Sequence, residues 1–340
     1  MSVYNIANVN VVGVSACVPK EKFNIDDYEH FTREDASDFK KRVGINSKRC
    51  SHGKTTAADL CFHAAEKLID DLGWERNSIG ILVLVTQTPD YTVPASAIIL
   101  QNRLNLSTST IAFDINLGCS GWVYGLSVVS SLMNTMKIDR ALLLAGETSI
   151  IAEYTDKKTF PLMGDAGTAT ALENVANANM VFDLNSDGRG YDAIIAPNSG
   201  ARFISDTNAK ERLNFKVSLD SQKILAFCLQ HVLPSVARVI EKAATTALDI
   251  DYFVLHQANK IINESLRKKL NIPEEKLPYS LAEFGNTSSA SIPLTIATQL
   301  ATPLKSNTLS ILCSGFGVGL SWGSVLLKTN NLVCSELIEV

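Results

Sequence analysis

An α/β fold built from two packed halves is what this sequence predicts. Three observations predict it: apolar β-rich runs alternate with helix-length segments, the alternation repeats in the second half, and no long Pro/Ser-rich linker interrupts the chain. With 340 residues, 46% of them hydrophobic, the chain can bury a large core and exceeds one simple domain.

In the first half, residues 81–86 (ILVLVT), 111–115 (IAFDI) and 141–145 (ALLLA) predict buried strands. Residues 120–136 place Val123, Leu126, Val129, Leu132, Met133 and Met136 at helical spacings, with Gly118 and Ser120 where that helix begins. In the second half the pattern predicts a helix over about 221–246, a strand over 252–256, a helix over 259–270, a helix after Asn286, and strands over 309–313 and 320–328. Both halves end alike: residues 141–147 followed by GDAGTATALE (164–173) parallel residues 309–314 followed by GFGVGLSWGSVLLK (315–328). The pattern predicts an internal duplication, with halves at 1–175 and 176–340 separated by the polar stretches 174–179 and 185–190. A site assembled from loops of both halves at their interface follows.

Charged residues of both signs are interspersed, total 19% and leave a net charge of -4, so no electrostatic argument favours nucleic acid. The N-terminus lacks a basic start followed by an apolar core, and no run reaches about 18 uninterrupted apolar residues, which predicts a soluble cytoplasmic protein without membrane insertion. Cysteines at 17, 50, 61, 119, 228, 313 and 334 show no metal-ligand spacing, so no metal is expected and six of them are expected to be free and mostly buried.

Cys119 differs from the others. It sits at a strand-to-helix turn in Asp114-Ile-Asn-Leu-Gly-Cys-Ser-Gly-Trp-Val-Tyr-Gly125, where small neighbours allow a sharp elbow and the helix start favours thiolate. The alternative is a small apolar residue capping a core strand. His256 ends the apolar run Asp251-Tyr-Phe-Val-Leu-His, where α/β folds place ligands, or is a hydrogen-bonded core histidine. Asn286 lies in a small polar loop before a helix, where Asn is also a common turn or cap residue. Together they suit acyl transfer: Cys holds an acyl group as a thioester, and two neutral donors bond a second thioester carbonyl as it gains enolate character during loss of CO2. The turn Ser314-Gly-Phe-Gly-Val-Gly-Leu320 offers backbone N–H groups to an oxyanion, or is an ordinary glycine-rich turn; a strand rather than a helix follows it, which excludes a dinucleotide loop.

The cysteine elbow, His256-Gln-Ala-Asn259, Gly285-Asn-Thr-Ser-Ser-Ala-Ser291 and Gly315-Phe-Gly-Val-Gly-Leu-Ser-Trp-Gly323 occur in the order and approximate spacing of the ketoacyl-acyl-carrier-protein synthase III family of the thiolase superfamily. Further matches run from Arg42-Val-Gly-Ile45 to Gly164-Asp-Ala-Gly167, so the sequence resembles that family over nearly its whole length. The resemblance implies a five-layer αβαβα thiolase-like fold, usually homodimeric, with acyl-CoA and malonyl-acyl carrier protein as substrates and no bound cofactor. It implies Cys119 as the acylated nucleophile, His256 and Asn286 at the malonyl decarboxylation, and the backbone amides of Cys119 and Val318 as the oxyanion hole. Coenzyme A or carrier contacts are expected at Arg42, Lys157, Asn259, Lys268 and Lys269, and acyl-pocket contacts at Val93 and Met163. Val93 stands where a partner subunit's Phe often closes that pocket, which predicts tolerance for acyl groups longer than acetyl. The sequence departs from the family pattern at Lys157, where a second Arg is usual, at Asp38 or Phe39 near a usual Trp, at Ile261 and at Ser218-Leu-Asp220. Two rival readings are an acyltransferase serving an alcohol or amine acceptor and a non-catalytic partner of another synthase.

Overall fold

The computed structural model describes residues 3–197, 199 and 217–340. The principal strands are β1 (Val3–Val18), β2 (Ile79–Val85), β3 (Ile111–Ile115), β4 (Arg140–Glu147), β5 (Ala166–Ser186), β6 (Tyr252–Leu255), β7 (Ser310–Gly317) and β8 (Ser321–Lys328). The principal helices are α1 (Arg33–Val43), α2 (Ala57–Leu72), α3 (Ser96–Arg103), α4 (Gly121–Met136), α5 (Ser221–Lys242), α6 (Lys260–Lys269) and α7 (Ser291–Gln299).

Two strand sets contain the same run, β2–β4–β5–β1 in one and β6–β7–β8–β5 in the other, each a parallel pair followed by two antiparallel ones. In the first, β3, β2, β4, residues 166–173 of β5 and residues 10–17 of β1 lie side by side; β2 is parallel to β3 and β4, and β5 is antiparallel to β4 and β1. In the second, β6, β7, β8, residues 181–186 of β5 and residues 3–7 of β1 follow; β6 is parallel to β7, and the later neighbours are antiparallel. The chain passes from one set to the other inside β5. Residues 174–179 are therefore a mostly exposed stretch of a continuous strand, with a register shift against β1 between Ala7 and Val9, rather than a linker.

Side-chain alternation along the strands defines the layers. On β2, Ile81, Val83 and Val85 face a central core shared with Trp122, Leu126 and Val129 of α4 and Ile292, Leu294 and Ile296 of α7. Leu82 and Leu84 face the opposite way, into a core with Leu60, Ala64 and Leu68 of α2 and Leu100 of α3. On β7, Ile311 and Cys313 reach the central core, whereas Leu312 joins Phe227, Val232 and Val236 of α5 and Leu266 of α6. The order helix, sheet, helix, sheet, helix is the five-layer arrangement the sequence predicts.

Predicted boundaries agree within a few residues. The second-half helix stops at Lys242 rather than near 246, and Thr246 opens a short 3-10 turn instead. Asn259 lies just outside α6 as its N-cap, accepting from the Ile262 amide at 2.9 Å. By length and hydropathy α5 could cross a bilayer, but its Phe227, Cys228, Val232, Val236 and Val239 are buried in the outer core.

Candidate active site

The chain leaves β3 at Ile115, turns through Leu117 and Gly118, and enters α4 at Gly121, so Cys119 sits at the mouth of the central helix. It is partly exposed, while the other six cysteines are buried. The glycine-rich end of β7 presses against it. A Cβ at Gly317, whose φ is +157°, would lie 2.8 Å from Cys119 Sγ, and one at Gly315 would lie 2.8 Å from the Cys119 carbonyl oxygen. Only a strand lacking side chains there can come so close to the thiol.

Burial pushes the Cys119 thiol above its usual range; the Val318 amide, the Ser288 hydroxyl and the cysteine's own amide pull the other way, and Glu147 adds to the rise. The sequence-based expectation that the helix start would favour thiolate is thus outweighed by desolvation. The two amides expected to form an oxyanion hole, Cys119 and Val318, both bear on the sulfur.

His256 follows β6 directly, and its amide bonds the Ser314 carbonyl of β7 at 2.8 Å. Its ring is 1% exposed, with Nδ1 hydrogen-bonded to Ser291 Oγ at 2.7 Å and the Phe316 ring edge-on at 5.6 Å. Burial lowers its pKa to about 3, against a hydrogen bond with the Ser288 backbone, so the imidazole is neutral. Asn286 Oδ1 accepts from the Ser288 amide at 2.9 Å, and Nδ2 points at the Ala258 carbonyl at 3.4 Å.

Ser288 joins all three. Its backbone bonds His256 and Asn286, and its hydroxyl lies 4.0 Å from Cys119 Sγ. Ser288 is held in the left-handed region at φ 49°, unusual for a residue with a side chain. The sequence shows a polar loop there but not this turn. Glu147 was also missed. It ends β4, buried, accepting from the Gln87 amide at 3.0 Å and from Thr88 Oγ1 at 3.0 Å. Burial raises its pKa to about 8 despite those donors, so it is largely protonated at neutral pH.

The remaining expected residues separate into two groups. Met163 forms an isolated bridge with Asn286 and therefore lies beside the site. Of the others, Arg42, Val93, Lys157, Lys268 and Lys269 are exposed and Asn259 is half-buried. Arg42 pairs with Asp38 at 3.2 Å and Lys157 with Asp35 at 3.6 Å, both acids lying on α1. Lys268 and Lys269 are exposed in the last turn of α6, where Arg267 is engaged by Glu264 at 2.8 Å. Asn259 Oδ1 is committed to its cap. Val93 is 80% exposed.

Comparison with known proteins assigns the same architecture. The family described as 3-oxoacyl-[acyl-carrier-protein (ACP)] synthase III matches residues 113–188, and its C-terminal part matches residues 240–329. The beta-ketoacyl-[acyl-carrier-protein] synthase III of Campylobacter curvus is 31% identical over 94% of this chain and 96% of its own length, and that of Geobacillus kaustophilus is 29% identical over 94% and 98%. The crystal structure of a 3-oxoacyl-(acyl-carrier protein) synthase from Burkholderia xenovorans LB400 superposes with a TM-score of 0.94 at 38% identity, covering 99% of each chain. The synthase III from Pseudomonas aeruginosa PAO1 gives 0.84 at 28% identity over 96% of this chain and 99% of that one. With the motifs, the layers and these full-length matches in agreement, the chain belongs to the beta-ketoacyl-[acyl-carrier-protein] synthase III family.

Proposed function

We propose that this protein joins an acyl-CoA primer to malonyl-acyl carrier protein by decarboxylating Claisen condensation, through an acyl thioester on Cys119. In the first half-reaction the thiol gives up its proton, sulfur attacks the acyl carbonyl, the carbon–sulfur bond to coenzyme A breaks, and coenzyme A leaves as the thiol. The transient oxyanion faces the amides of Cys119 and Val318. In the second, His256 and Asn286 hydrogen-bond the malonyl thioester oxygen, the bond to the carboxylate breaks with release of CO2, and the enolate carbon attacks the acyl group. The carbon–sulfur bond to Cys119 then breaks, giving a 3-oxoacyl-acyl carrier protein and a thiolate that takes a proton from solvent to restore the free thiol. A neutral imidazole suits this step, because a charged one would tend to protonate the carbanion.

One observation carries this reading: the Ser288 turn ties His256 and Asn286 together and brings its hydroxyl against the partly exposed sulfur. The test separates the half-reactions. His256→Ala and Asn286→Ala should keep acylation of Cys119, followed by intact-protein mass spectrometry, within about threefold, while CO2 release and condensation fall about 10²–10³-fold. Equal loss of both half-reactions would remove the assigned roles.

The finer features belong to the same proposal. A homodimer is supported by the free edge of β3, where all five residues are only partly buried, and by the nearby exposed Tyr91, Val93 and Ile98. Val93 would then face the partner's acyl pocket, with Met163 lining this chain's own. Arg42 and Lys157 would exchange their exposed acidic partners for coenzyme A phosphates, a small cost for surface ion pairs. Lys268 and Lys269 would meet an acidic carrier protein. Halves at 1–175 and 176–340 are supported by the repeated run of one parallel and two antiparallel pairs. A cytoplasmic setting fits seven cysteines that are all free.

A further inference from the structure

Lys48 is a fully buried cation that the reaction described above does not use. It lies in the short strand Ser47–Arg49, with its side chain 0% exposed. No carboxylate among the described residues forms an ion pair with it; instead Nζ donates to the backbone carbonyls of Phe160 and of Met163, the latter at 2.9 Å. The ammonium also stands 3.6 Å from the centre of the Phe160 ring. Asp165, whose charge is felt at Lys48, is committed elsewhere, accepting from the Ser51 amide and hydroxyl at 2.8 Å each and from the Ser149 amide at 2.6 Å. Burying an ammonium is costly unless its protons are placed, and here two carbonyls and a ring face place them.

Those carbonyls belong to the segment that holds Asn286. The Asn286 amide donates to the Leu162 carbonyl at 2.9 Å, and the Gly164 amide donates to the Asn286 carbonyl at 3.0 Å. Met163, between them, is both the bridge partner of Asn286 and an acceptor for Lys48. The lysine stem lies on the same spot: methyl groups at Gly164 and Gly285 would meet Lys48 Cβ at 3.6 and 3.3 Å. The cation therefore fixes both neighbours of the carboxamide, the 160–164 turn through its carbonyls and the Gly285 backbone through its stem.

We propose that Lys48 is a positioning residue for Asn286, setting the placement of its carboxamide for the decarboxylation half-reaction without touching substrate. Because Asn286 sits in a short polar loop, its side chain has no helix or sheet to hold it, and misplacement by a fraction of an ångström weakens a hydrogen bond to a developing enolate. Cys119 and the Val318 amide lie elsewhere, in the turn before α4 and the turn after β7, so acylation should be indifferent to Lys48.

The inference rests on the role assigned to Asn286, and the test keeps the two apart. Lys48→Met, of similar length without donors, and Lys48→Gln, with a neutral donor, are compared with Asn286→Ala in the full chain. Folding is checked by circular dichroism, acylation by mass spectrometry and condensation by CO2 release. Lys48→Met should lose at least tenfold in condensation while keeping acylation within about threefold, with Lys48→Gln between it and wild type and Lys48→Arg restoring most of the loss. Combining Lys48→Met with Asn286→Ala should add little to Asn286→Ala alone. Equal loss of both half-reactions in Lys48→Met, full condensation in that variant, or loss of the fold in both neutral variants overturns the proposal, the last leaving Lys48 a purely structural cation. If Asn286→Ala itself spares condensation, the underlying reading fails instead.

Discussion

The ends of β4 and β6 hold different places, β4 an inner strand and β6 the last strand of its set, and they carry opposite chemistry. In the first half β4 ends in Glu147, a carboxyl that burial holds protonated up to about 8. In the second, β6 leads into His256, a base that burial keeps unprotonated down to about 3. One rises and the other falls for the same reason, the cost of a charge in a dry environment. Burial thus disfavours the charged form of both groups. On the proposed roles the labour is divided as well: Cys119, a partly exposed residue, takes the acyl group, and the buried, neutral His256 and Asn286 serve the decarboxylation.

The sharpest way to break this division is Cys119→Ala, which should abolish the acyl adduct seen by mass spectrometry while leaving the fold and the second-half donors unchanged. Retention of an adduct on another residue would contradict the assignment of the first half. Gly317→Ala should blur the division, because the added methyl at a positive φ intrudes on Sγ from the other half. Both half-reactions should fall at least tenfold and stability by about 1–3 kcal/mol, read from acylation kinetics and denaturant midpoints. A fully active variant would show that β7 does not crowd the thiol. Leu143→Ala, in the central core on β4 beside α4, should cost about 2–5 kcal/mol of stability yet leave the ratio of the half-reactions unchanged.

The smallest effect concerns pH. Between 4.5 and about 8 folded Glu147 binds a proton that the unfolded chain releases, so its contribution to stability is complete below 4.5 and is lost as pH rises through 8. For His256 the unfolded chain binds the extra proton between 6.5 and about 3, so its contribution is complete above 6.5 and is lost on acidification toward 3. Glu147→Gln should therefore flatten the alkaline side of a stability profile and leave the acid side intact. An unchanged alkaline slope would remove Glu147 as its source.

Much of this was legible in the residues because strand and helix periods are local. The β3, β4 and α4 segments and the elbow at Cys119 follow from runs of a few residues, whereas a joint role for His256 and Asn286 comes from the family resemblance of their motifs. The features that were not legible depend on contacts between distant segments. Nothing around Ser288 announces a left-handed turn, since serine adopts it only because His256 and Asn286 bond its backbone. Lys48 reads as an ordinary charged residue in SKR until the carbonyls of residues 160 and 163 close over it. The polar run at 174–179 reads as a separator because its side chains are mostly solvated, although the chain there bulges at Asn177, φ 64°, and pairs with β1 again on either side. The thiol's raised pKa likewise follows from how tightly the glycine-rich end of β7 seals the helix mouth, which periodicity does not encode.

Because β1 and β5 each lend one end to either sheet, neither sheet can lose its ladder without exposing edges in the other. Calorimetry should accordingly find a single melting transition rather than two, and severing the backbone within 174–179 should yield fragments that associate or precipitate instead of refolding separately. Two strand sets joined through shared strands are thus not separable, and an assembly of this kind gains or loses its shape as one cooperative body.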